Sequence, residues 1–89
     1  MSKGKINRIE YSTKYLKLFK KLAPHIREKA REKERWFRYN PFDPKLETHK
    51  LHGKFKEYWS YSVDYKNRVI FRFLNGNSAI FLYIGPHPY

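Results

Sequence analysis

The sequence has 89 residues, the size of one small domain, and seven Phe, eight Tyr and two Trp must supply much of its modest core. The absence of cysteine excludes a disulfide framework and a thiolate metal site, and no apolar run is long enough to cross a bilayer. Twenty Lys and Arg against eight Asp and Glu give a formal charge of +12, which favours nucleic acid, the ribosome or an acidic protein as partner over neutral small molecules.

The N-terminal half predicts a strand followed by two helices. Residues 5–11 alternate weakly, as a short strand does, and Ser12 is a suitable cap for a helix that ends at Ala23. Pro24 disfavours the helical conformation in the residue before it and suits the first turn of a second helix, which runs to Tyr39. The predicted apolar face of the first helix contains Tyr15, Leu16, Phe19 and Leu22. The basic residues of the second helix form either a solvated face or a grip on an RNA backbone.

The C-terminal half predicts an antiparallel meander. After the loop NPFDPK, period-two alternation predicts strands over Tyr58–Val63, Arg68–Phe73 and Ala79–Ile84. The segment LNGN predicts an Asn-Gly hairpin turn between the last two strands. The fold class is therefore α+β, with an N-terminal strand, a two-helix hairpin and a C-terminal meander in one small twisted sheet, and residues 1–89 form a single domain.

The stretch from His49 to the C-terminus carries side chains suited to cutting RNA. Imidazole as a side-chain type is suited to proton transfer, which makes His49 and His87 candidates, and the guanidinium of Arg68 offers paired donors to a phosphate. Each also has an ordinary explanation. His49 could end a loop, Arg68 could be an exposed strand residue, and His87 lies in the final residues, where chains are often disordered.

These residues resemble the RelE/ParE superfamily of toxins from toxin-antitoxin operons, in particular its YafQ-like and YoeB-like mRNA interferases. The resemblance spans nearly the whole chain, and its more specific part is a Leu-x-Gly segment at Leu51–Gly53, Trp59-Ser60, Arg68 and a terminal His87. By this resemblance, His49 stands at a catalytic histidine or glutamate of the family. Arg68 matches a catalytic arginine, and His87 matches the family's C-terminal histidine.

The resemblance implies a ribosome-dependent endoribonuclease that needs neither metal nor cofactor and is silenced by an antitoxin. We expect His49 to act as base, Arg68 with Lys54 to stabilise the transition state and His87 to act as acid, which leaves 2′,3′-cyclic phosphate and 5′-hydroxyl ends. The opposite assignment of the two histidines is almost equally favoured. Trp59 or Tyr89 could stack on a base, although Trp59 is more often a core residue, and the family's terminal His-Tyr pair is split here by Pro88.

Lys66, where YafQ-like toxins have an aspartate, is a further candidate for supporting or RNA-binding contacts. The expected partners are the ribosome, mRNA and an acidic antitoxin that covers His49 and Arg68 or displaces the C-terminal segment. The N-terminus lacks the apolar core of a signal peptide, so the expected location is the cytoplasm. Less favoured alternatives are a ParE-like inhibitor of DNA gyrase, a non-catalytic RNA-binding or ribosome-binding module, and a metal site formed by His49, His52 and His87.

Overall fold

The computed structural model describes residues 5–87, which form two helices and one five-stranded sheet. The strands are β1 (Arg8–Tyr11), β2 (His49–Lys50), β3 (Trp59–Ser62), β4 (Asn67–Asn75) and β5 (Ser78–Pro86), and the helices are α1 (Thr13–Lys21) and α2 (Pro24–Tyr39). Short 3₁₀ turns at Pro44–Leu46 and Gly53–Phe55 flank β2. The predicted α+β class and order of elements are confirmed.

The strand order in the sheet is β1-β5-β4-β3-β2. Neighbouring strands from β2 to β5 pair antiparallel, which confirms the C-terminal meander, whereas β1 pairs parallel with β5. Two parallel strands need a long connection between them. Between β1 and β5 this connection starts with α1 and α2 and continues through β2, β3 and β4. The side chain of Ser12 accepts a hydrogen bond from the Tyr15 backbone amide at 3.0 Å, so the predicted cap starts α1.

The core lies between the helices and one face of the sheet. The Phe37 ring of α2 is fully buried and contacts Tyr61, Phe71 and Phe81, with ring centroids 4.8 to 5.3 Å apart. In α1, Tyr15 is buried as predicted, but Leu16 remains 48% exposed. The predicted apolar face was therefore wrong at one position, since Leu18 packs against the core and Leu16 does not.

The opposite face, here called the open face, carries the polar residues of the inner strands. Because antiparallel partners project to the same side, the register places His49 beside Ser60 and Arg68 beside Ser62. The intervening residues Tyr61 and Val69 point to the core. The alternation read from the sequence thus separates a helix-covered face from an open face on which the candidate site lies.

Candidate active site on the open face

Arg68 lies near the start of β4 and is held by two side chains. Its Nε donates a hydrogen bond to Nε2 of His87 at 3.0 Å, and its Nη1 lies 4.0 Å from a carboxylate oxygen of Glu47. Only 18% of the Arg68 side chain is exposed, against 67% of Glu47. A strand arginine that simply faced solvent would be far more exposed, so these contacts hold the guanidinium in one place.

His49 is joined to the same cluster through the backbone of Glu47. The Nδ1 of His49 lies 3.1 Å from the Glu47 carbonyl oxygen, and because a carbonyl can only accept, Nδ1 carries the proton. The turn at Glu47 makes this contact possible. Its φ of 54° is left-handed, and it directs the carbonyl toward His49 while the carboxylate reaches Arg68.

His87 follows the end of β5, and Tyr83 anchors the segment before it. The Tyr83 hydroxyl donates a hydrogen bond to the Pro86 carbonyl at 2.6 Å, and burial raises the pKa of this hydroxyl, which favours the protonated donor. A guanidinium cannot accept a hydrogen bond, so Nε2 of His87 must accept from Arg68. His87 is therefore neutral in this arrangement.

The structure thus brings together the three predicted catalytic residues, His49, Arg68 and His87, with Glu47 joining two of them. The cluster joins a guanidinium held by two contacts to two imidazole groups, one in direct contact with it and one linked through Glu47. This combination suits a reaction in which charge grows on a phosphate while protons move on either side of it.

No family model matches the sequence, and no curated protein matches it significantly. Solved structures do match the fold. The YoeB/ParE toxin from Agrobacterium tumefaciens has a TM-score of 0.77 at 17% identity, over 90% of this chain and 98% of that chain. The archaeal RelE-RelB complex from Pyrococcus horikoshii gives 0.74 at 17% identity, over 93% and 97%.

The E. coli DinJ-YafQ toxin-antitoxin complex gives a TM-score of 0.71 at 24% identity, over 89% of this chain and 90% of that chain. The chain has the RelE-like toxin fold. The fold that the sequence resemblance implied is therefore confirmed, and each match spans nearly the full length of both chains.

Within this RelE-like fold, the predicted supporting residues lie in different places. Lys54 lies on the 3₁₀ turn Gly53–Phe55, with its ammonium 5.5 Å from the Phe55 ring centroid. Lys66 lies in the exposed turn before β4, at the same end of that strand as Arg68. Tyr89 lies outside the described residues.

Trp59 is not brought to the candidate site. As the partner of Phe71, it lies on the core face, and its ring packs edge-to-face on Phe42 and Phe73 at 5.4 and 5.5 Å. This position favours the structural reading of Trp59 over a stacking platform beside His49.

Three residues of the site were not identified from the sequence. Glu47 carries no local signal, since glutamate is not a residue that favours a left-handed turn. Tyr83 lies in an ordinary strand pattern, and nothing local to it in the sequence indicates a role beside His87, four residues later. Ser60 is fully buried on the open face, and within residues 5–87 its hydroxyl has no hydrogen-bond partner.

Two further observations concern residues 5–87 only. No group of three or more His, Cys, Asp or Glu side chains in this part of the chain is placed to hold a metal ion. No helix formed by these residues is long and apolar enough to span a membrane.

Proposed function

We propose that this protein is the toxin of a type II toxin-antitoxin system and an endoribonuclease that cuts mRNA held in the ribosome. The observation that carries the proposal is the contact of Arg68 with His87, in a cluster that also contains His49. The RelE-like fold and the formal charge of +12 support it. The reaction forms a 2′,3′-cyclic phosphate and a 5′-hydroxyl end.

In the proposed mechanism, the scissile phosphate takes over the donors of Arg68. A phosphate accepts paired hydrogen bonds from a guanidinium in a favourable geometry, so it replaces both Glu47 and His87. His87, released beside an anion, takes a proton from solvent and donates it to the departing 5′-oxygen. His49, oriented through Nδ1, uses Nε2 to remove the proton of the 2′-hydroxyl.

The test of the function is primer extension on mRNA held in translating ribosomes. We expect cleavage within codons by the intact protein and a loss of roughly 10²-fold or more in His87→Ala. His25→Ala is the matched control, because His25 is an exposed histidine of α2, the helix that covers the face of the sheet opposite the open face. Absence of cleavage by the intact protein would refute the nuclease proposal, and a gyrase supercoiling assay would then test the ParE-like alternative.

A modified leaving group distinguishes acid from base. A substrate with sulfur in place of the departing 5′-oxygen needs no protonation of its leaving group, because a thiolate leaves without help. We expect this substrate to restore cleavage by His87→Ala and not by His49→Ala. Restoration of the His49 variant alone would reverse the two roles while leaving the nuclease proposal intact.

We further propose an acidic antitoxin as the partner, in the cytoplasm. Among the similar structures, one is a RelE-RelB complex and another is the DinJ-YafQ toxin-antitoxin complex. A surface with an excess of twelve positive charges attracts an acidic, partly disordered chain that folds on binding. Co-expression with the adjacent open reading frame should relieve growth inhibition, and the purified complex should lose cleavage activity.

A further inference from the structure

A groove of about 480 Å³ lies on the open face beside the candidate active site. Phe55 and Tyr58 line one side, Lys14 and Tyr83 line the other, and Ile70 of β4 lies between them. Aromatic rings therefore face the groove from both sides. The Lys14 ammonium lies 5.7 Å from the centroid of the Tyr83 ring, so the rim on that side is positively charged.

We propose that this groove binds one unpaired base of the RNA, next to the phosphate that is cut. Unpaired bases stack on aromatic side chains, and every base has a face that permits this contact. The charge of the protein favours a polyanion over an apolar peptide in the same groove. Lys14 is placed to contact a phosphate of the strand while Tyr58 and Tyr83 contact the base.

The groove lies next to the candidate active site along β4 and β5, and this inference rests on the proposed function. Ile70 is two residues from Arg68 on β4 and faces the same side of the sheet. On β5, Tyr83 pairs with Ile70, and Gly85 pairs with Arg68. The Tyr83 hydroxyl also holds the carbonyl of the residue before His87. A base against Tyr83 therefore lies beside the groups proposed to act on the phosphate.

The unpaired hydroxyl of Ser60 lies on the strand next to the groove residue Ile70. Ser60 is the β3 partner of Ile70, so both side chains lie on the open face. Its buried hydroxyl has no hydrogen-bond partner among residues 5–87, an arrangement that is unfavourable unless a ligand completes it. Ser60 is fully buried and does not itself line the groove, so this hydroxyl neighbours the proposed base site and is not part of it.

The test measures binding of the full chain to short single-stranded RNA in which every 2′-hydroxyl is methylated, so that cleavage cannot occur. Each position of the strand is made abasic in turn, which removes one base and leaves the charge unchanged. Fluorescence anisotropy at fixed salt then gives the affinity that depends on each base. We expect the abasic change at one position to weaken binding roughly 5- to 100-fold, the range that base stacking supports.

The groove variant is Tyr58→Ala, and Tyr39→Ala is its matched control, because Tyr39 is 72% exposed at the end of α2. We expect the abasic penalty to fall below about twofold in Tyr58→Ala and to stay unchanged in Tyr39→Ala. Equal binding of the intact strand and all abasic strands by the wild type would overturn the inference. So would a full penalty retained by folded Tyr58→Ala.

Lys14→Gln provides a second variant that changes only an exposed side chain, with Lys17→Gln on α1 as its control. The slope of log affinity against log salt should fall by about 0.7 in Lys14→Gln, the value for one phosphate contact on a single strand. Equal slopes for Lys14→Gln and Lys17→Gln would contradict the placement of Lys14.

The binding assay and the ribosome assay fail independently. Base-dependent binding without cleavage on the ribosome would refute the nuclease proposal and leave the base site standing. Cleavage on the ribosome without base-dependent binding would refute the base site and leave the nuclease proposal standing.

Discussion

Replacing Gly85 by alanine tests whether the C-terminal segment is held in place for the proposed reaction. Gly85 has a φ of 147°, which L-residues rarely adopt, and a Cβ at this position would lie 3.0 Å from the Tyr83 hydroxyl oxygen. That hydroxyl donates to the Pro86 carbonyl, and the next residue is His87, which contacts Arg68. The added methyl group therefore strains the backbone and pushes on the hydroxyl that anchors this segment.

The two effects have different magnitudes and different assays. A residue in so sparsely populated a conformation costs about 1 to 3 kcal/mol, and each kcal/mol lowers the melting temperature of a domain this size by roughly 4 to 8 °C. The lost hydrogen bond of Tyr83 is worth about 0.5 to 1.5 kcal/mol, so cleavage by folded Gly85→Ala should fall roughly 2- to 10-fold. Thermal unfolding measures the first effect, and primer extension below the melting transition measures the second.

Two other glycines separate strain from the contact with Tyr83. At Gly76, no atom lies within 4 Å of an added Cβ and φ is not in the strained range, so Gly76→Ala should behave as the wild type. Gly53 has a φ of 68° with open space around its Cβ, so Gly53→Ala should lose stability without moving Tyr83. A melting temperature of Gly85→Ala within about 2 °C of the wild type would refute the reasoning. Equal loss of cleavage in Gly53→Ala and Gly85→Ala would show that displacement of Tyr83 is not the cause.

Three further predictions concern single side chains. Arg68→Lys keeps the charge but loses the planar paired donors, so primer extension should show a loss of roughly 10²- to 10³-fold, and an unchanged yield would contradict its proposed role. Ser60→Ala removes a buried, unpaired hydroxyl and should raise the free energy of unfolding by about 1 kcal/mol in denaturant titrations, whereas a lower value would mean that the hydroxyl is satisfied. Burial raises the pKa of Asp64, but hydrogen bonds from the backbone amides of Asn67 and Lys66 outweigh burial, and the net pKa is lowered. Asp64→Asn should therefore be less stable than the wild type above the unfolded-state pKa of about 3.9, and this difference should vanish as pH falls through the lower folded pKa, which melting curves from pH 7 to pH 2 would reveal.

The helices and most strands could be predicted because their signals are local. Ser12 and Pro24 mark the helix starts through capping and through the fixed φ of proline, and neither effect depends on distant residues. Leu16 was wrongly predicted to be buried. Helical spacing defines an apolar stripe along α1, but it does not show which side of that stripe packs against the sheet. The outcome at that edge depends on how α1 lies against β5, which is a tertiary contact.

The β4–β5 hairpin shows where strand alternation fails. The predicted Asn-Gly turn is shifted by one residue, since Asn75 still belongs to β4 and the turn comprises Gly76 and Asn77. In β5, strict alternation would place Tyr83 on the core face with Phe81. The register shift between Ile70 and Phe71 leaves an extra residue between Phe81 and Tyr83, so Tyr83 points to the open face.

Residue types suggested which side chains to consider for the candidate site, but they did not indicate the contacts that connect those side chains. Histidine and arginine residues are identified directly from the sequence, and the family resemblance suggested a role for each. The link between His49 and Arg68 depends on a left-handed φ at Glu47, and no short-range pattern indicates this conformation for glutamate. Likewise, contact between Arg68 and His87 depends on pairing of β4 with the end of β5, 19 positions apart in the chain.

The two contacts of Arg68 orient its guanidinium and still leave it available to a phosphate. The Glu47 carboxylate is largely exposed and lies 4.0 Å away, so this ion pair contributes little and is easily replaced. The hydrogen bond to His87 fixes the direction of the guanidinium. A phosphate can replace His87 as the acceptor without any change in that direction, because it accepts hydrogen bonds from the same donors. The same exchange changes what His87 faces, from a cation to an anion. Binding of the phosphate to Arg68 would thus prepare His87 to receive the proton that the proposed reaction requires.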